Sequence, residues 1–245
     1  CDVSTNCTSW SKIGGDGVNS GWAISTFEAV LSMTAFGGNL YAAIGINAND
    51  AEVWRWNGTA WTKIGGDSLN SGWTTNYESV RSLANDGTNL YAGLGDTATE
   101  AEVWRWNGAA WSKIGGDGVS SSWATGDNIE YVHSLEYING NLYAGTASST
   151  GDGDLWRWNG TVWSKIGGDG VNGSWASARG DGIYALTYSD GVLYAGIYDS
   201  TGDSGLWSWN GTGWTQLGGG YVNNSWGFYG LNSVESSTTM NEKLY

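Results

Sequence analysis

Five times along the chain a glycine-rich segment leads to an indole, and in three of the copies an acid, an amide and the indole follow in fixed order. The first copy reads Gly14-Gly15-Asp16-Gly17-Val18-Asn19-Ser20-Gly21-Trp22. The later copies place Asp67, Asn70 and Trp73, then Asp117, Ser120 and Trp123, then Asp169, Asn172 and Trp175. The last has Gly220 in place of the acid, followed by Asn223 and Trp226. An indole offers a flat apolar plate, a carboxylate and an amide offer planar acceptors and donors, and glycines let backbone amides approach closely. That set suits the C–H face and vicinal hydroxyls of a sugar ring. The same residues also suit a purely structural task, with Trp filling a gap and Asp-Gly making turns. Because the last copy lacks its acid, at most four complete sites are expected.

Other reactive side chains repeat less usefully. Asp50 and Glu52, Glu100 and Glu102, Asp152 and Asp154, and Asp203 occupy matching acidic places. Two carboxylates per loop are too few for a calcium cage, so an acidic rim is expected and no metal site. The spacing of Thr201, Asp203 and Gly205 before Trp207 is taken as a chance match to an Asp-box turn. Arg55, Arg105 and Arg157 follow a Trp and are expected to stack or pair locally, and Lys12, Lys63, Lys113 and Lys165 to guard an outer strand. Asn6, Asn57, Asn159, Asn172, Asn210 and Asn223 fit the N-glycosylation pattern, although an Asn-Gly turn explains three of them. There is one histidine, His133, in one copy of the repeat. No nucleophile triad, metal-ligand cluster or phosphate loop is present, so no catalytic residue and no cofactor are expected. Carboxylates repeated around a structure are the layout of equivalent binding sites rather than of one catalytic pair.

The elements that must position these residues come from one unit of about fifty residues. Its leading Trp falls at 10, 61, 111, 163 and 214, and a second follows twelve residues later at 22, 73, 123, 175 and 226. A Leu-Tyr pair ends at Tyr41, Tyr91, Tyr143, Tyr194 and Tyr245, and a Trp-x-Trp pair appears four times. Length varies only between the second Trp and the Leu-Tyr pair, where the interval is 18 to 20. Constant intervals elsewhere fix strand register. Four short strands can be read per unit: Ser79–Ala84, Asn89–Leu94, Glu102–Trp106 and Ala110–Ile114. Asn107-Gly108 is expected to form a two-residue type I′ hairpin between the last two.

Four antiparallel strands repeated every fifty residues make propeller blades, which must stack to bury both faces. The expected fold is therefore all-β, a single five-bladed β-propeller domain spanning 1–245, with four antiparallel strands per blade. Asp2–Asn6 aligns without a gap on Val53–Asn57, and the chain stops at Lys243-Leu244-Tyr245 inside a second strand. The closing blade is thus expected to take strands three and four from the N-terminal end and strands one and two from the C-terminal end. It should be the weakest blade, since Val3 and Thr5 replace two tryptophans. The glycine-rich connections leave an outer strand for the next inner strand, so they lie over blade junctions.

The unit resembles the tachylectin-2 family of five-bladed lectin propellers. The shared pattern reads Trp61, Ile64-Gly65, Gly72-Trp73, Tyr77 and Leu90-Tyr91-Ala92, and recurs over nearly the whole chain. The resemblance implies binding of N-acetylated sugars between adjacent blades. The Trp-Arg-Trp-Asn-Gly hairpin and the longer glycine-rich loop depart from the family pattern.

Composition narrows the partners. The chain has 245 residues, 41 Gly, 18 Trp, no Pro and a formal net charge of -14. Such acidity disfavours nucleic acid and anionic membrane surfaces, and no apolar run is long enough for a membrane span. Cys1 and Cys7 suit either a small disulfide loop in an oxidising compartment or free thiols. The chain opens on Cys1, as expected of a mature or trimmed product. The expectation is a non-enzymatic, multivalent carbohydrate-binding module, extracellular or at the cell surface, with glycans as partners. The alternative is a structural or protein-interaction propeller within a longer parent chain.

Overall fold

The computed structural model describes residues 10–22, 29–45, 50–74, 76–97, 100–149, 151, 153–176, 180–202, 204–220, 222–226, 233–237, 239–240 and 243–244. Within them the repeat folds as four successive four-stranded antiparallel sheets. The first is β1 (Val30–Phe36), β2 (Asn39–Ile44), β3 (Glu52–Trp56) and β4 (Trp61–Gly65). The second is β5 (Val80–Asn85), β6 (Leu90–Leu94), β7 (Glu102–Trp106) and β8 (Trp111–Gly115). Next come β9 (Tyr131–Ile138), β10 (Asn141–Ala147), β11 (Leu155–Trp158) and β12 (Trp163–Gly167). The fourth is β13 (Gly182–Ser189), β14 (Val192–Tyr198), β15 (Gly205–Trp209) and β16 (Trp214–Gly218). A single pairing, Ala147 with Gly182, ties the third sheet to the fourth. A short hairpin, β17 (Thr239–Met240) and β18 (Lys243–Leu244), ends the described chain.

The strands form where alternation and β-branched or aromatic residues call for them, and they keep one register. Tyr41 faces Arg55, Tyr91 faces Arg105, and Tyr143 faces Arg157 across the second and third strands. The hairpin between third and fourth strands differs from the expected type I′. Only the glycine has positive φ, 97° at Gly58, 96° at Gly108 and 99° at Gly160. That is the demand of a type II′ turn, with Gly at its first central position. The Asn side chain explains the shift. Asn107 Oδ1 accepts the amides of Ala109 and Ala110 at 3.0 and 2.9 Å, which holds its own backbone out of the left-handed region.

The sheets pack as propeller blades. The first strands β1, β5, β9 and β13 are innermost neighbours, joined by side-chain hydrogen bonds about one repeat apart. Ser32 Oγ accepts the amide of Leu83, Ser82 Oγ donates to the Val132 carbonyl, and Ser134 Oγ donates to the Ile183 carbonyl. Farther out, each leading Trp reaches the preceding blade. The indole N–H groups of Trp111, Trp163 and Trp214 donate to the carbonyls of Ile64, Ile114 and Ile166 at 2.8, 2.7 and 2.8 Å. Trp61 makes the same bond to Ile13 at 2.7 Å, so the N-terminal segment stands where a preceding outer strand would. Edge-to-face contact with the second Trp completes the wedge, as for Trp73 and Trp111 at 5.1 Å. The backbone leaves no slack there: a Cβ on Gly65 would collide with both Trp73 and Trp111.

The expected closing blade lies mostly outside the described residues, as do Cys1, Cys7 and the expected third strand over 2–6. Trp10 to Ile13 is described and is not a strand. Trp10 is 83% exposed, whereas Trp61, Trp111, Trp163 and Trp214 are 3–7% exposed. The N-terminal and C-terminal parts are therefore not seen joined in one sheet among the described residues.

Replacing Trp111 by Ala removes a buried wedge and one of the two side-chain donors to the Ile64 carbonyl. The expected cost is about 3–5 kcal/mol in urea unfolding; a loss below about 1 kcal/mol would show that the indole does not hold the blades together.

Candidate functional site

The glycine-rich connection is a left-handed loop, which accounts for much of its composition. Asp16, Asp67, Asp117 and Asp169 have φ of 54°, 51°, 51° and 52°, and Asn19, Asn70 and Asn172 of 53°, 54° and 56°. Gly, Asn and Asp tolerate that region best. Each predicted Asn turns its amide inward. Asn19, Asn70, Asn172 and Asn223 donate to the carbonyls of Ile13, Ile64, Ile166 and Leu217 at 3.0–3.1 Å. Asp16, Asp67, Asp117 and Asp169 pair with Lys12, Lys63, Lys113 and Lys165, one helical turn's distance earlier in sequence.

The second tryptophans sit between blades. Trp73, Trp123 and Trp175 are buried, and their indole N–H groups donate to the carbonyls of Ala51, Ala101 and Gly153 at 2.7, 2.7 and 2.8 Å. Trp22 and Trp226 are half-buried. Gly220 and Asn223 keep the loop geometry of the other copies, with φ of 56° and 55°.

Clefts open at two junctions among the described residues: an apolar one of about 610 Å³ beside the N-terminal segment, lined by Trp10, Ile13, Trp22, Met33 and Trp61 among others, and a polar one beside residues that sequence reading assigned to an acidic rim. In the first two blades the acid before Trp-x-Trp caps the first indole: Glu52 accepts from Trp54 and Glu102 from Trp104, both at 2.7 Å. In the third blade that acid is Asp154, one methylene shorter. Trp156 Nε1 is buried there without a hydrogen-bond partner. The connection entering this blade also differs. At the preceding junction Tyr77 packs against the core beside Trp104 and hydrogen-bonds Glu102. Burial first, then the Glu102 charge, push the Tyr77 phenol far above its ordinary range. Trp123 is followed by no aromatic at that place. Its connection, in the repeat with the longest spacing, turns through Thr125–Asp127, closed by Asp127 Oδ2 accepting the Ala124 amide at 2.8 Å.

The result is a cavity of about 370 Å³ lined by Asp127, Asn128, Asp154, Trp156, Lys165 and Asp169, with Gly126 and Ile129. Lys165 bridges Asp154 (2.7 Å) and Asp169. Burial works against its charge, but hydrogen bonds to Asp154 and Asp169 outweigh that and hold the ammonium above the usual lysine range. Chemically this is a half-apolar pocket with an unsatisfied indole donor, two paired carboxylates and an ammonium. Of the residues expected to bind, Asp169 lines it. Asp127, Asn128, Asp154, Trp156 and Lys165 were missed as a group. The absent aromatic after Trp123 and the Glu-to-Asp change at 154 were the legible signals. Among the described residues no group of three or more His, Cys, Asp or Glu is placed to hold a metal ion.

Comparison with other proteins bears on the fold. No protein-family model matches the chain, and no curated protein matches it. Among solved structures, U3-55K matches at 13% identity and TM-score 0.51, over 85% of this chain and 55% of that one. The Trypanosoma rangeli sialidase in complex with 2,3-difluorosialic acid matches at 13% identity and TM-score 0.51, over 77% of this chain and 37% of that one. The β-propeller domain of the Trilobed protease from Pyrococcus furiosus matches at 13% identity and TM-score 0.46, over 78% and 54%. The chain thus spans about half the length of two of these structures and about a third of the third. Likeness at this identity is likeness of fold, and the fold is a β-propeller.

The single histidine sits on the innermost strand of the third blade. His133 stacks on Tyr184 at 3.8 Å and 3° between planes, and Tyr184 stacks in turn on Tyr198 at 4.7 Å. Burial first, and the Arg81 charge second, push His133 down to about 4. A depressed histidine means that the unfolded chain takes up the proton first. Stability from this group is therefore full above about pH 6.5 and falls as pH drops toward about 4. Glu78 is pushed up to about 7 by its hydrogen bond to Asp96, then by burial. Its contribution has the opposite sign and is lost as pH rises through that range. Comparing the protein with His133→Leu isolates the imidazole. The expected result is that the parent loses about 3 kcal/mol more than the variant between pH 6.5 and 4. Parallel urea-midpoint profiles would contradict a buried neutral imidazole.

Proposed function

We propose that this β-propeller is a non-catalytic carbohydrate-binding module, and that its best-formed site is the junction pocket beside Trp156. The observation that carries the reading is the space itself. A sugar ring has about the thickness and amphipathic character of the Tyr77 ring that fills the preceding junction. Where Tyr77 is missing, the pocket keeps an indole and the polar groups of Asp127, Asn128, Asp154, Lys165 and Asp169. An apolar plate with a few convergent polar groups suits an amphipathic ring. The resemblance to the tachylectin-2 family supports N-acetylated sugars as the first class to test, and glycans displayed outside or on the surface of cells as partners. Weak single sites gain from repetition on a dense glycan surface, by a factor of ~10²–10⁴.

The ring is read as five blades, with the closing blade shared between the two chain ends. Ile13 accepts the Trp61 indole as each preceding blade's Ile does, and Glu235 to Ser237 line the same axial cavity as β1, β5, β9 and β13. Five sheets in an experimental density map are expected; four or six would contradict this count.

A second reading, a structural or protein-interaction propeller, is favoured by one observation. Trp73, Trp123 and Trp175 are buried with their indole N–H groups already bonded, so these plates are committed to the blades. The two readings separate in one experiment. Asp127→Tyr restores the filler of the preceding junction. Calorimetric titration with N-acetylglucosamine is expected to show binding that this variant weakens at least about tenfold, while its melting temperature holds. Glycan-array screening showing no saccharide ligand for the parent protein would leave the structural reading standing.

A further inference from the structure

One variable position of the repeat is given a common place by the structure. The innermost strands begin Val30-Leu31-Ser32, Val80-Arg81-Ser82, Val132-His133-Ser134 and Ile183-Tyr184-Ala185. The matching stretch of the fifth repeat is Val234-Glu235-Ser236. The residues before and after scarcely change, while the middle residue is Leu, Arg, His, Tyr or Glu. In every one of the four described inner strands the middle residue is the extra residue of a β-bulge. Val30 and Ser32 pair with Ile44 and Ala43, skipping Leu31, and the pairing skips Arg81, His133 and Tyr184 in the same way. A bulge takes a side chain out of the alternating ladder and re-aims it.

All five of these residues line one axial cavity of about 280 Å³, interleaved with Ser32, Ser82, Ser134 and Ser236. The cavity is asymmetric in charge. Arg81 enters from the second blade, held by an ion pair to Asp96 and lying 4.4 Å from the centre of the Tyr131 ring. Glu235 enters from the fifth repeat and is exposed. No ion pair joins the two among the described residues. Between them stands the His133–Tyr184 stack, and His133 Nδ1 is buried without a hydrogen-bond partner. Leu31 supplies an apolar wall.

We infer that the axial cavity is a second binding site, selective for a small zwitterion, a free α-amino acid. Its carboxylate meets the guanidinium of Arg81, whose five donors exceed what Asp96 alone uses. Its ammonium meets the Glu235 carboxylate, and its side chain lies against Leu31 and the His133–Tyr184 stack. The cavity is near the small end of ligand pockets, which start at about 300 Å³, and excludes anything much larger. This site is separate from the junction pocket, and its ligand differs in class from a sugar.

The test is calorimetric titration with the twenty free amino acids, using phenylalanine for the comparisons because of the aromatic wall. Binding is expected, and phenylalaninamide and 3-phenylpropanoate, each lacking one charge, are expected to bind at least about tenfold more weakly. Arg81→Leu copies the residue of the first repeat, so the strand tolerates it, and Glu235→Gln removes only the charge. Both are expected to weaken phenylalanine binding to the same extent, with N-acetylglucosamine binding unchanged. The lone imidazole gives a local signal: its proton resonances shift on adding phenylalanine to the parent protein. No binding of any amino acid overturns the inference. Binding that leaves the His133 resonances and both variants unaffected overturns it as well, by placing the ligand elsewhere.

Discussion

The hydrogen bond from one blade's leading indole to the previous blade's strand-four carbonyl is the constraint on which the rest depends. Each sheet is too small to bury both faces alone, and this bond helps to fix how far one blade turns from the next, beside the serine hydrogen bonds of the inner strands. Trp111, Trp163 and Trp214 make it with near-identical geometry, and Trp61 makes it to the N-terminal segment. An indole suits the task because it buries a large apolar surface and still donates to a carbonyl of the neighbouring blade. The second tryptophan then closes the wedge from the other side, and glycines such as Gly65 and Gly167 lie too close beneath the pair for a Cβ.

A frame this uniform leaves few places where one blade can differ from another, and two of those places are where the junction pocket and the axial cavity open. At the junction before the third blade, the exchange of an aromatic filler for Asp127 and of Glu for Asp154 opens a pocket without disturbing Trp123 or Trp163. At the axis, a bulge shared by all the described inner strands presents Leu31, Arg81, His133 and Tyr184. In both cases the constant part of the repeat supplies position and rigidity, and the variable part supplies chemistry. Outside these places some of the acids pair with lysines of the outer strand, as in the bridge from Lys63 to Glu52 and Asp67.

Much of the frame was legible in the sequence because spacing alone records it. Constant intervals between Trp, Leu-Tyr and Trp-x-Trp fix strand boundaries to about one residue: Glu102–Trp106 was read and found, and Ser79–Ala84 became Val80–Asn85. The hairpin was misread because Asn-Gly favours positive φ at both positions only when the Asn side chain is idle; here it accepts two backbone amides. The glycine-rich loop was open to a binding or a structural reading because Asp, Asn and Trp recur in it, and most of these residues have structural work in left-handed backbone, carbonyl capping and inter-blade packing. The junction pocket and the axial ring were hidden for the opposite reason. A repeat draws the eye to what is constant, whereas Asp127, Trp156 and His133 matter through what their copies lack. A β-bulge leaves no mark on strand alternation strong enough to show that Arg81 and His133 share a cavity.

Indole hydrogen exchange, followed by NMR for each tryptophan, tests the governing bond most directly. The side-chain N–H protons of Trp111, Trp163 and Trp214 should exchange only through global unfolding, with protection equal to that of the β5 and β9 backbone amides. Exchange of these three protons well ahead of the strand amides would show that the blades are held by something other than the indole-to-carbonyl bond.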